Sequence, residues 1–270
     1  MSIVLALTAA LAYGSADFVG GLAARRQPPV VVALGAQVTG LALLLAALVL
    51  VGSPAPSAVD VGLGMVAGVF GGTGLVLLLR SLARGPMSIV APTTALAASS
   101  VPIVAGLVTG ERPGPMGLVG MGVAFIAVAL ITREPRDSAS ASGLVVGARR
   151  SVVGGALAAG DDAGLWPLVG ARVASVPLLA LLAVRQGGAD PFEEFRPTRQ
   201  MLTSGALDMA ANIAYLLALR HGMLSVVAAV TGLYPGATVV LAQSKLQERL
   251  AAPQLVGLGV AVGAAVLVAL

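Results

Sequence analysis

The sequence predicts an all-α membrane protein, a helical bundle of ten segments in two inverted five-helix repeats with an unusually short sixth segment. Three observations carry this. Of the 270 residues, 57% are hydrophobic and only 10% charged, against roughly 25% charged in an average globular chain. So few charges cannot cover a water-facing surface, and lipid must solvate much of the chain. Second, apolar runs recur from one end to the other at the ~20 residues that a bilayer core requires. Third, the chain repeats itself. A shift of 137 residues aligns 85–132 with 222–269 without gaps, and 17 of the 48 positions are identical. Biased composition does not easily explain the matched Ser88 and Ser225, Thr94 and Thr231, or Glu111-Arg112 and Glu248-Arg249. A shift of 135 places Gly35-Ala36-Gln37-Val38 on Gly170-Ala171-Arg172-Val173. Five spans per copy is an odd number, so the second copy enters the membrane from the opposite side, as in many transporters.

The first repeat occupies 1–132. Its spans are expected at 2–24, closed by Arg25-Arg26, then 30–51, 61–79, 87–109 and 117–132. The start carries no basic segment, and its apolar run outlasts a signal peptide, so the first span is expected to persist. A polar linker follows at 133–150, and the second repeat occupies 151–270. Its spans are expected at 164–184, 201–219, 223–242 and 255–270. The runs lack the alternation of a β-barrel. The sixth segment is the exception, with only ten uninterrupted residues, 151–160, between Arg149-Arg150 and Asp161-Asp162. Ten residues rise ~15 Å, half of a ~30 Å core. Sliding the helix back would bury both arginines at ~2.5–3.5 kcal/mol each. A ten-span count nevertheless segregates thirteen Lys/Arg on one side from two on the other. The expectation is a short half-helix that still reverses the chain. The charge count puts both termini outside.

Composition also excludes. There is no cysteine and His221 is the only histidine, which leaves no thiol chemistry and no histidine metal cluster. The net charge of +4 does not indicate nucleic acid, because the basic residues punctuate apolar runs instead of forming a patch. Phe70-Gly-Gly-Thr-Gly74 and the glycines of 257–263 lie inside apolar spans with no preceding strand, so they read as helix packing and not as nucleotide loops. No Walker motif is present.

Asp17, Arg172, Asp208 and Asn212 fall within expected spans, where charge is costly and usually faces a cavity or a partner. Asp208 and Asn212 are four apart and share a helix face. With Arg172 they make a site for a zwitterion, guanidinium for a carboxylate and aspartate for an ammonium; the alternative is a structural ion pair of Arg172 with Asp208 or Asp17. Gln37, the repeat counterpart of Arg172, is a further binding candidate. Glu111 and Glu248 close the fourth and ninth spans. They are expected to pair with a basic residue or cap the next helix, with cation binding or gating as the alternative. Pro92, Pro102 and Pro235 are expected to interrupt helices, either lining a cavity or as tolerated kinks.

Several stretches resemble the EamA-type family of the drug/metabolite transporter superfamily. They are Ala12-Tyr-Gly-Ser-Ala-Asp-Phe18, Gly85-Pro-Met-Ser-Ile-Val-Ala-Pro92 with Gly110-Glu-Arg112, Ala163-Gly-Leu-Trp-Pro-Leu168 with Ala171-Arg-Val173, and Leu233-Tyr-Pro-Gly-Ala-Thr238 with Gln247-Glu-Arg249. The resemblance implies ten helices, a central cavity, both termini in the cytoplasm, no cofactor and movement of small metabolites, often amino acids. The expected function is therefore secondary transport, export above import, across the plasma (inner) membrane, driven by protons through Asp17 or Asp208 or by exchange. The alternatives are a non-transporting scaffold and an intramembrane lipid-modifying enzyme, for which no acid–base cluster is evident. Expected partners are a small-molecule substrate and the lipid bilayer, with a homodimer admissible and no nucleic acid.

Overall fold

The computed structural model describes residues 1–51, 55, 57–131, 163–186, 197–247 and 252–269. Among these residues all regular structure is helical: α1 (Ser2–Ala24), α2 (Pro29–Val51), α3 (Ala58–Arg84), α4 (Met87–Val108), α5 (Pro115–Ile131), α6 (Trp166–Gln186), α7 (Arg199–Arg220), α8 (Leu224–Thr231), α9 (Pro235–Leu246) and α10 (Ala252–Ala269). The linker, the expected half-helix at 151–160 and Glu248 lie outside the described residues. Among the described residues six segments are long and apolar enough to cross a membrane: α1, Pro29–Leu50, α3, α6, α7 and Leu224–Leu246. The last contains both α8 and α9.

Helix limits follow local chemistry. Ser57 caps α3, its hydroxyl accepting from the Val59 amide at 3.2 Å, and Thr198 caps α7 by accepting from the Met201 amide at 3.3 Å. Each satisfies a donor that a helix start leaves orphaned. Asp60 in the first turn of α3 and Arg84 in its last complement the helix dipole.

One expectation changes here. Pro92 and Pro102 do not interrupt α4, which runs through both. A proline removes one backbone donor, which helices packed against neighbours within a membrane tolerate. The ninth span is the one that is interrupted, next to Pro235, where an interruption was expected. α8 closes at Thr231, the Leu233 and Tyr234 amides donate to the Val230 and Thr231 carbonyls at 3.1 Å, and Pro235 opens α9 at its first turn, where its missing N–H costs nothing.

α1 packs most extensively on α7, α3 on α6 and α5 on α10. Glycines set several of these seams. Cβ atoms at Gly64 and Gly68 would strike the Pro167 and Ala171 carbonyl oxygens, and one at Gly72 would meet Ser175 Cβ at 3.1 Å, so α3 and α6 run side by side in parallel. Gly205 of α7 meets the Ala36 carbonyl in the same way, and Met209 lies over Gly40 of α2. These contacts mirror one another under the sequence repeat: Gly68 corresponds to Gly205, Ala171 to Ala36, and Ser175 to Gly40. The positive-φ residues Gly110 (94°) and Gln247 (55°) are likewise 137 apart. On α10 the glycine expectation holds only in part: Gly257 is buried, while Gly259 and Gly263 face open space.

The helices gather into two groups. α1, α2, α3, α6 and α7 pack together, as do α4, α5, α8, α9 and α10, and α1 makes most of the contacts between groups, against α8 and α9. One end of the bundle carries Arg25 and Arg26 after α1, Arg84 and Arg185 at the ends of α3 and α6, Arg199 at the start of α7 and Lys245 at the end of α9. There Arg80 donates to the Gln186 side chain at 2.9 Å. At the opposite end Arg220 donates to the Gly164 carbonyl.

Candidate functional site

Near the middle of their helices, α1, α2, α6 and α7 converge on one polar cluster. Arg172 of α6 and Asp208 of α7 form an ion pair, Nη2 to Oδ2 at 2.7 Å, with side chains 9% and 14% exposed. Asn212, one turn beyond Asp208, donates from Nδ2 to the same Oδ2 at 3.1 Å and to the Asp208 carbonyl at 2.6 Å. Its Oδ1 accepts from the Tyr13 hydroxyl of α1 at 2.9 Å. The guanidinium lies against α2 at Gly40, whose missing side chain leaves it room: a Cβ there would sit 3.4 Å from Arg172 Nε and Nη2. Tyr13 extends the network to the second helix group. Its ring meets Tyr234 edge-on, centroids 6.3 Å apart and planes at 62°, and Tyr234 stands at the break between α8 and α9.

The expected residues Arg172, Asp208 and Asn212 thus come together in contact. Gln37, one turn before Gly40 on the same face of α2, is buried, and its side-chain oxygen accepts no hydrogen bond among the described residues. A buried acceptor without a donor marks a place for water or a ligand. Asp17 is 1% exposed and lies one turn along α1 from Tyr13. Pro235 borders the cluster through Tyr234. Pro92 lies within α4, in the other helix group.

Glu111 does not cap the next helix, α5. Its carboxylate accepts from the Leu224 and Ser225 amides at 2.6 and 2.8 Å and so closes the start of α8, far along the chain. Together the two bonds cap the helix start, a contribution of about 1–2 kcal/mol. Gly106 makes the approach, since a Cβ would collide with Glu111 Oε2. Tyr13, Tyr234 and Gly40 are site residues that the sequence reading passed over.

A multi-pass helical bundle with a buried, hydrogen-bonded ion pair between two of its spans defines the class of polytopic membrane proteins. The match to a family model agrees: the description EamA-like transporter family covers residues 1–133 and 165–270, and the chain belongs to that family. A crystal structure of a protein 15% identical overlays 98% of this chain and 95% of its own, with a TM-score of 0.71, a likeness of fold. No curated protein matches the chain.

Proposed function

We propose that this chain is a secondary transporter of small metabolites such as amino acids, an exporter of the plasma membrane, and that Arg172, Asp208, Asn212 and Gln37 bind the solute. One observation carries the reading: an ion pair at mid-depth beside a buried amide oxygen without a donor. A zwitterion matches that set, its carboxylate on Arg172 and its ammonium shared by Asp208 and Gln37. Asp17 and Asp208 are the carboxylates at membrane depth through which protons would couple.

The ten-segment inverted repeat is part of the proposal. The mirrored Gly68–Ala171 and Gly205–Ala36 contacts support a two-fold relation between the repeats. Chain direction supports the missing crossing. α5 leads away from the end that holds Glu111, while α6 starts at that same end beside Arg220, and a sixth crossing would reconcile the two directions. The charge distribution supports a cytoplasmic Arg-rich end.

A specific observation favours a second reading. Arg172 and Asp208 both belong to one helix group, where an ion pair can serve purely as a staple. Uptake into proteoliposomes decides. A panel of amino acids, with their amides and decarboxylated amines as controls, is expected to show uptake that needs both charged groups of the solute and falls at least tenfold in Arg172→Lys. No uptake of any panel member by the native protein would favour the staple.

A further inference from the structure

We propose that Tyr13 is a positioning residue that couples the charged cluster to the broken span, so that a change at Asp208 moves α9 relative to α1. The proposal rests on reading the cluster as the solute site. Each link is a directed contact. Asp208 Oδ2 is shared by Arg172 and Asn212. The Asn212 amide is planar and held at both ends, by Asp208 on one side and by the Tyr13 hydroxyl on the other. A solute that draws Arg172 or Asp208 away must therefore turn that amide and pull on Tyr13. The Tyr13 ring bears edge-on against Tyr234.

Tyr234 is placed to pass the motion on. It stands between α8 and α9, where the continuous helical ladder gives way to i→i+3 bonds, so α9 can tilt without dragging α8. α9 is also fastened to α1 one residue beyond Tyr13. The Thr238 hydroxyl donates to the Gly14 carbonyl at 2.9 Å, and Gly14 has no Cβ because one would strike the Tyr234 carbonyl. The repeat supplies an internal control. Tyr234 and Pro235 correspond to Ala97 and Ala98, and α4 runs through those positions unbroken. Of two copies of one helix, the broken one is the copy that meets Tyr13. Tyr13 is also the residue that joins the hydrogen-bonded ion-pair cluster to the group holding α9.

The test needs no known solute. The chain has no cysteine, so Arg26→Cys and Lys245→Cys, both exposed, take spin labels at the ends of α1 and α9 in the full-length protein in lipid. Asp208→Asn then perturbs the cluster, and Arg172→Gln perturbs it independently should the first variant fold poorly. In the native background either change is expected to shift the label distance by about 2 Å or more, the scale of helix shifts in switching proteins. In Tyr13→Phe, which keeps the ring and loses the hydroxyl, and in Tyr234→Leu, which loses the ring contact, the shift is expected to vanish. A residue that merely packs would change thermal stability and leave the response to Asp208→Asn intact. Persistence of the shift in both tyrosine variants, or no shift in the native background, overturns the coupling. Failure of the solute-site reading shows separately, as absent uptake by the native protein.

Discussion

Asp208 accepts from Arg172 and Asn212 through one shared oxygen, so its charge matters more than its volume. Asp208→Asn leaves a buried guanidinium uncompensated, and removing one partner of such a pair costs about 3–5 kcal/mol. The expected result is a clear drop in the thermal midpoint in detergent. Arg172→Met combined with Asp208→Leu replaces the pair by apolar volume and is expected to regain most of that stability while uptake stays lost. Full uptake in the double variant would make the pair a staple. Arg172→Lys is expected to lower uptake despite its retained charge, because an ammonium cannot present a planar fork over Gly40. Arg172, Asp208, Asn212, Gln37 and Asp17 were legible because polar groups stand out in apolar runs. Tyr13 was not, since its ring counts as apolar and only its hydroxyl enters the site. Its signal was faint: one of three tyrosines, one turn before Asp17.

Between elements, the parallel pair α3 and α6 depends on backbone contact. Gly68→Val would push Cβ and two methyls into the Ala171 carbonyl, and overpacking of this kind costs about 1–3 kcal/mol. Gly205→Val is expected to cost a similar amount at the mirrored seam with α2. Gly62→Ala, on α3 with open space around it, is the control and is expected to be neutral or slightly stabilising. Thermal unfolding of the three variants checks the order. Glu111→Ala removes the cap of α8 and is expected to destabilise by about 1–2 kcal/mol, and Gly106→Ala is expected to do the same by displacing the carboxylate. Span limits were readable because apolar length and flanking charge fix them. The cap was not, because its partners, Leu224 and Ser225, lie in the other repeat. The break next to Pro235 was expected from that proline, but proline alone does not mark such breaks, since Pro92 and Pro102 leave α4 whole.

For the molecule as a whole, the duplication was readable from matched polar pairs, and the structure adds matched backbone geometry at Gly110 and Gln247. The pairing of helices across repeats was not readable, because glycine contacts leave no complementary sequence signature. Single cysteines at Ala139 and Gly164 test the crossing. Labelling from opposite faces of the membrane is expected, and labelling of both from one face would end the ten-segment reading.

The glycine seams also bear on how the chain is made. Gly64, Gly68 and Gly72 of α3 fit the backbone of α6, a helix the ribosome has yet to deliver when α3 enters the bilayer. Until then that groove has only lipid against it. A first-half fragment ending at residue 138 is therefore expected to be degraded when expressed alone and rescued when 139–270 is expressed beside it. Immunoblots of the two fragments, separate and together, would reveal whether the halves mature only as a pair.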